Sequence, residues 1–322
     1  MFSWLRLAAI VTAVVVMHAG FSSAQTSAQS DFEVITLGTG FPVPSMKRFG
    51  PATLVKAGDQ VLLFDAGRGA SQRIWQTRTP MGSINGMFIT HLHSDHIVGI
   101  PDVWLTGWLP SPFGLRKSPM RVWGPKGTKA MMTGLEKAYD WDIETRIADQ
   151  KLARESVSVE TTEIEEGVIY DQNGVKVTAF AVDHGDLIKP CFGYRVDYDG
   201  RSVVISGDTR FSENLIKHAT GAGLLIHQAA MAKDELLAKS PVFRYIIDHH
   251  TKPEEVGTVF ARTKPKLAAL YHIVLLTDGK IPAPTEADVA ERVKKNYQGP
   301  MVIAEDLMRF SIKREGVTYS NP

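Results

Sequence analysis

Cysteine is almost absent: Cys191 stands alone, so no internal disulfide can brace the fold and stability must come from a packed core. Beside Phe192, that thiol reads as a small buried hydrophobe. Excess charge of either sign is absent too. Lys and Arg number 36 and Asp and Glu 35, a net charge of +1. Such a balance exerts no general pull on polyanions, which speaks against a nucleic-acid partner. Repeats and low-complexity tracts are missing, and long apolar runs are confined to the N-terminus. There Arg6 precedes an apolar stretch at 7–17, and Ser22-Ser23-Ala24 supplies small residues for cleavage, the pattern of a secretory signal. The stretch falls short of the ~20 residues that span a bilayer, so no stable membrane insertion is expected after cleavage. Residues 1–24 are thus read as a signal peptide and 25–31 as a polar linker. Residues 32–322 form one domain, periplasmic or secreted. Losing the signal removes only Arg6 among charged side chains and takes the net charge to zero.

Against those absences, one hexapeptide is dense in chemistry. His91-Leu92-His93-Ser94-Asp95-His96 follows the apolar run Met87-Phe88-Ile89-Thr90, which reads as a buried strand. Three imidazoles and a carboxylate combine borderline-soft nitrogen with hard oxygen, a donor set suited to hydrolytic zinc. In an extended segment His91 and His93 point the same way and can grip one metal. If the chain then turns, Asp95 and His96 can serve a second.

Further segments extend the pattern: Leu62-Leu63-Phe64-Asp65-Ala66-Gly67, Val182-Asp183-His184-Gly185, Gly193-Tyr194-Arg195, Ser206-Gly207-Asp208-Thr209, Leu225-Ile226-His227, His250-Thr251 and Tyr271-His272-Ile273. In this order, and with HxHxDH, they resemble the metallo-β-lactamase superfamily and its ribonuclease Z-like and arylsulfatase-like branch. The resemblance implies an α/β fold, the αββα sandwich, as a single domain. It assigns His91, His93 and His184 to one metal and Asp95, His96 and His272 to another, with Asp208 bridging. Two Zn²⁺ are expected, with Mn²⁺ or Fe possible. Asp95 and His250 are the expected catalytic residues, His250 as proton donor to the leaving group, and His249 takes that part if the register is off by one. Asp65 is expected behind the ligands, fixing a histidine tautomer. The branch usually reads His-Glu-Ala-Thr where this chain has His227-Gln228-Ala229-Ala230, so a neutral amide replaces a carboxylate.

Patterning along the chain is consistent with such a fold. Strands are expected at 32–37, 52–56 and 60–65. Asn173-Gly174 and Asp199-Gly200 mark two-residue hairpins. Helices are expected at 128–139, 231–238 and 285–295, and a further one is expected to start with Thr251 as N-cap. Strand blocks without regular βαβ alternation suggest two packed sheets flanked by helices. Residues 105–155 interrupt the pattern with a Pro- and Trp-rich loop, in which Trp108, Phe113 and Trp141 either cover the core or wall a substrate pocket.

The branch leaves several substrates open. Ribonuclease Z proper inserts a long basic arm between the equivalents of His184 and Asp208, whereas this chain has only residues 185–207 there. Together with the export signal and neutral charge, that favours a small-molecule sulfate or phosphate ester, cleaved by metal-activated hydroxide. A ribonuclease Z-type tRNA 3′ endonuclease and a lactonase or β-lactamase-type acyl hydrolase are the alternatives. Branch resemblance also suggests a homodimer.

Overall fold

The computed structural model describes residues 31–110, 112 and 114–322. The signal segment, most of the linker and Phe113 therefore lie outside the described residues. Among the described residues, fifteen strands form two sheets. In chain order these are β1 (Phe32–Gly38), β2 (Ala52–Ala57), β3 (Gln60–Phe64), β4 (Gly86–Phe88), β5 (Met120–Gly124), β6 (Val159–Glu163), β7 (Gly167–Gln172) and β8 (Val175–Ala181). There follow β9 (Phe192–Tyr198), β10 (Arg201–Ile205), β11 (Leu224–Met231), β12 (Leu267–Leu275), β13 (Met301–Ile303), β14 (Met308–Ile312) and β15 (Val317–Ser320). One sheet runs β15-β14-β1-β2-β3-β4-β5-β6 and the other β13-β12-β11-β10-β9-β8-β7.

Alternation along the strands decides which side chains fill which layer. Leu62 and Phe64 point between the sheets, where they meet Tyr194, Val203 and Ile205 in the central core. Leu63, between them, points outward to a second layer with Ile74, Trp104 and Trp108. Val204 likewise points to the opposite outer layer, with Leu215, Phe260 and Val293. Both faces of the central strands are thus covered, and the strands read as continuous apolar runs.

The helices that cover the first sheet are α1 (Ala70–Gln76), α2 (Ser94–Ile97), α3 (Ile100–Trp108), α4 (Thr128–Ala138), α5 (Asp140–Gln150) and α6 (Arg154–Val157). On the second sheet lie α7 (Glu213–Ala219), α8 (Asp234–Lys239), α9 (Pro241–Asp248), α10 (Pro253–Thr263) and α11 (Glu286–Lys294). The two-sheet sandwich with outer helices matches the expected architecture. Both hairpins also form where expected: Asn173 and Gly174, and Asp199 and Gly200, all have positive φ, as a two-residue primed turn requires.

Several expectations need correction. Parallel pairing through helices is present after all, in β3-β4-β5-β6 and in β10-β11-β12-β13. Residues 105–155 are not one loop; they hold the end of α3, then β5, α4, α5 and part of α6. The helix expected at 231–238 begins at Asp234, because Met231 still belongs to β11. Lys252, not Thr251, caps α10: its backbone N–H donates to Glu255. The Thr251 hydroxyl turns inward instead and donates to the Thr209 carbonyl at 2.7 Å. Among the described residues no helix is long and apolar enough to cross a membrane.

Candidate metal centre

β3, β4, β8 and β10 deliver their following loops to one edge of the sandwich. Asp65 follows β3, His91 to His96 follow β4, His184 follows β8 and Asp208 follows β10. Carboxyl ends of aligned strands are where open α/β sheets place their ligands. Close backbone approach is built into this edge. A Cβ on Gly67 would sit 2.3 Å from the Asp95 carbonyl oxygen, so only glycine lets the Asp65 loop and the α2 turn meet.

His272 reaches the same edge differently. It lies inside β12 rather than in a loop beyond a strand end. Along the parallel β11–β12 ladder Gln228 pairs with Tyr271 and Ala229 with Ile273, so His272 is an extra residue, a bulge. Its φ is +43°, and its N–H bonds out of the ladder to the Thr39 carbonyl at 2.9 Å. The bulge turns the imidazole toward the cluster.

There the donor atoms converge. His91 Nε2 lies 3.0 Å from His93 Nδ1, and His184 Nε2 lies 3.3 Å from the same atom. His96 Nε2 and His272 Nε2 are 3.1 Å apart, with Asp95 Oδ2 3.3 Å from His272 Nε2 and 3.6 Å from His96 Nε2. Asp208 Oδ2 stands between the two groups, 3.8 Å from His184 Nε2 and 3.3 Å from His272 Nε2. Ligands about 2.1 Å from a tetrahedral metal are separated by about 3.4 Å, and these spacings bracket that value.

Hydrogen bonds set which nitrogens are free. The Asp65 carboxylate accepts from His96 Nδ1 at 2.8 Å and from the Thr90 hydroxyl at 2.9 Å. The same Thr90 oxygen lies 3.0 Å from His91 Nδ1. His184 Nδ1 lies 2.9 Å from the His249 carbonyl oxygen, which can only accept. His91 and His184 are thereby fixed with the proton on Nδ1 and the Nε2 lone pair toward the cluster. For His96 the bond to Asp65 fixes the ring. Against the effect of burial, the carboxylates of Asp208 and Asp65 hold it well above the ordinary histidine pKa, so its Nε2 proton must be displaced by an incoming cation. Asp65 thus lies behind the cluster, bonded directly to His96 and linked to His91 through Thr90.

Electrostatics favours a cation here. Burial, followed by the charge of His96, holds His91 well below the ordinary histidine pKa. Burial alone would raise Asp208, but the charges of His272 and His96 outweigh it and hold that carboxyl well below its usual range. Among the described residues, Asp208 Oδ1 is buried without a hydrogen-bond partner. A buried carboxylate with one oxygen orphaned and the other set among imidazoles is costly unless positive charge joins it. The cluster fits a dinuclear metal site.

His250 also belongs here, grouped with His184 and Asp208. Its Nδ1 is 2.9 Å from Gln228 Oε1, and Gln228 Nε2 donates to the Thr209 carbonyl at 2.7 Å. Burial pushes His250 down to about 3. His227, by contrast, points away: its ring meets Phe260 edge-on, and Nδ1 is satisfied by the Gln228 carbonyl. Cys191 is fully buried, as expected.

Of the two roles open to the aromatic residues of 105–155, Trp108 takes core cover and Trp141 takes neither. Trp108 is buried in the layer under α3, and Trp141 is 79% exposed on α5. Neither lines the cavity of about 450 Å³ that opens on the cluster. That cavity is walled by Phe41, Val43, Phe243, Ile246, Leu275 and Leu276. These residues gave no local signal, because they come from three separate stretches of chain.

Two sheets packed face to face under outer helices, with a histidine–aspartate cluster at one edge, define a class of metal-dependent hydrolases. The sequence profile of the beta-lactamase superfamily domain matches residues 60–273. The chain belongs to this superfamily, and its relatives within it include ribonucleases Z. It is 36% identical over 283 residues to the ribonuclease Z of Mycolicibacterium gilvum, covering 87% of this chain and 96% of the relative. The fold is similar to the metallo-beta-lactamase fold protein YhfI from Bacillus subtilis, with a TM-score of 0.65 and 17% identity over 90% of this chain and 99% of that one. It is also similar to the short form of human tRNase Z, with a TM-score of 0.62 and 23% identity over 87% and 99%.

These relatives overturn the expected substrate. A sulfate or phosphate ester of a small molecule, and the expectation against a nucleic-acid partner, do not agree with relatives named for a ribonuclease. The physical error lay in reading net charge and a missing arm as a statement about the site. Net charge sums over the whole surface and is silent about a local donor cluster.

Proposed function

We propose that this protein is a ribonuclease Z-type endonuclease that hydrolyses a phosphodiester bond in precursor tRNA. The observation that carries this reading is the similarity to ribonucleases Z across nearly their full length, joined to an intact set of seven ligand-type side chains. In this reading His91, His93 and His184 hold one metal, and Asp95, His96 and His272 the other. Asp208 would be shared between them, and zinc is the metal the donor set suits best. Two divalent cations would supply a water acidic enough to ionise near neutral pH and positive charge against the phosphoryl oxygens. The residues of the chain do the rest. Asp65 holds His96, and through Thr90 it steadies His91. The His249 carbonyl orients His184. Asp95 would accept the proton of the attacking water. His250, neutral at rest with its Nδ1 proton on Gln228, is proposed to take up that proton on Nε2 and pass it to the departing oxygen.

The test is to load metal-free protein with Zn²⁺, Mn²⁺ or Fe²⁺ in turn and to incubate each with a precursor tRNA carrying a 3′ extension. One discrete cut that frees the extension is expected. Protein that binds two metal equivalents yet leaves the precursor intact with all three metals refutes the reading.

Residues 1–24 are proposed to be a cleavable signal; because export would part the protein from precursor tRNA inside the cell, recovery of the mature form from the cell envelope would count against the ribonuclease reading. Mass measurement of the intact protein from the cell envelope checks this, with Gln25 expected as the first residue.

A further inference from the structure

The cavity beside the cluster has two unlike walls. One is the ligand set; the other is apolar and carries two phenyl rings, Phe41 and Phe243. Phe41, Phe243 and Ile246 pack against a buried cluster of Ala230, Leu236, Ile247, Val274 and Leu276. They do not complete that core, because each remains half-buried and lines the cavity with the surface it has left. Among the described residues that line the cavity, none is lysine or arginine. Apart from Thr277, its polar side chains are all histidines and aspartates of the ligand region.

A phosphodiester seated at the cluster must therefore place one of its substituents against an apolar, aromatic wall. In RNA the phosphate and ribose are polar, and only the faces of the bases are flat and weakly hydrated. A paired base already has both faces covered by its neighbours and its edge tied to a partner. An unpaired base is free to leave the stack and enter.

Resting on the ribonuclease reading above, we propose that this cavity is a nucleobase subsite. A single unpaired nucleotide adjoining the scissile phosphate inserts its base against Phe41 and Phe243, with Ile246 and Leu276 closing the edge. Recognition is then of one single-stranded nucleotide next to the metals. The subsite sets where along the RNA the phosphodiester meets the cluster.

Stacking on an aromatic side chain contributes roughly 5- to 150-fold per base. Two precursor RNAs would be compared, one intact and one abasic at the nucleotide beside the scissile bond, with the wild type, F243A and F243L. The leucine variant preserves bulk while removing the ring, and so guards against a folding defect. Loss of the base should lower wild-type kcat/KM within that range and should matter far less to either variant. Equal cleavage of both RNAs by the wild type overturns the proposal, as does an undiminished abasic penalty in F243L.

A second readout does not depend on cleavage. Adenosine 5′-monophosphate should bind the metal-loaded wild type roughly 5- to 150-fold more tightly than ribose 5-phosphate, and F243L should lose most of that difference. Equal binding of the two ligands overturns the subsite. A preserved difference without any RNA cleavage would instead refute the ribonuclease reading and leave the subsite standing.

Discussion

Gln228 Oε1 lies 2.9 Å from His250 Nδ1, and the amide is held in that orientation by its own bond to the Thr209 carbonyl. An amide oxygen can accept the Nδ1 proton, but it cannot stabilise a charged ring as a carboxylate would. The fully buried Gln228 thus fixes the tautomer of His250 and leaves its protonation to the surroundings, which hold the ring at about 3.

Gln228→Glu should move that balance. A carboxylate at the same position favours the imidazolium, so the folded pKa of His250 rises and its acid form persists to higher pH. If His250 gives a proton to the leaving oxygen, cleavage of substrates with poor leaving groups should improve on the order of tenfold at pH 7 relative to good ones. pH–rate profiles of kcat/KM for an alkyl and a nitrophenyl phosphodiester measure this. A profile identical to that of the wild type would show that His250 has no part in proton transfer.

His250→Ala and His249→Ala separate the two neighbours. His250→Ala should slow poor leaving groups roughly a hundredfold or more, and nitrophenolate much less, with both metals retained. His249→Ala should show no such dependence on leaving group, because His249 supports His184 through its backbone carbonyl. Metal content after gel filtration, read alongside the rates, distinguishes a donor from a ligand.

The metal ligands and their supports should differ in kind. Asp208→Ala removes the carboxylate shared by both groups and should abolish binding of the second metal together with nearly all activity. Asp65→Asn keeps the shape but weakens the hydrogen bond to His96 Nδ1. It should lower metal affinity about 10- to 100-fold without changing the stoichiometry. Competition with a chromophoric chelator measures both, and an Asp65→Asn protein of unchanged affinity would show that the carboxylate only shapes the turn.

Acid should unfold the metal-free protein earlier than its carboxylates alone would dictate. Burial holds His227 at about 4, below the ordinary 6.5. Its folded pKa is depressed, so the unfolded chain takes up the proton first as pH falls. The stability tied to the neutral ring is complete above about pH 6.5 and is lost progressively between 6.5 and 4. Urea unfolding at pH 7.5, 6 and 4.5, with NMR titration of the imidazole resonances, should show that slope and a ring still neutral at pH 5.

Much of the centre was legible because its chemistry is local. His91, His93, Asp95 and His96 fall within six residues, and the two primed hairpins depend on Asn-Gly and Asp-Gly, whose conformational preferences are intrinsic. What escaped depends on partners distant in the chain. The β12 bulge exists only in relation to β11, and a strand cannot announce a register shift that its neighbour imposes. Trp108 and Trp141 look alike as bulky aromatics in a Pro-rich region, yet one is sealed under α3 and the other lies open on α5. The Thr251 hydroxyl had a local capping role available and was drawn instead to the Thr209 carbonyl. The true cavity wall joins Phe41 to Phe243 across some two hundred residues, beyond any periodicity a window could detect.

The bulge at His272 also sets fitness against durability at a single codon. A left-handed backbone costs a non-glycine residue roughly 1–2 kcal/mol, so the backbone alone would favour glycine or asparagine at residue 272. A lineage selected only for persistence would drift toward those residues and lose a ligand in doing so. A lineage that keeps histidine there is carrying a conformational cost that only the chemistry at the sheet edge can justify.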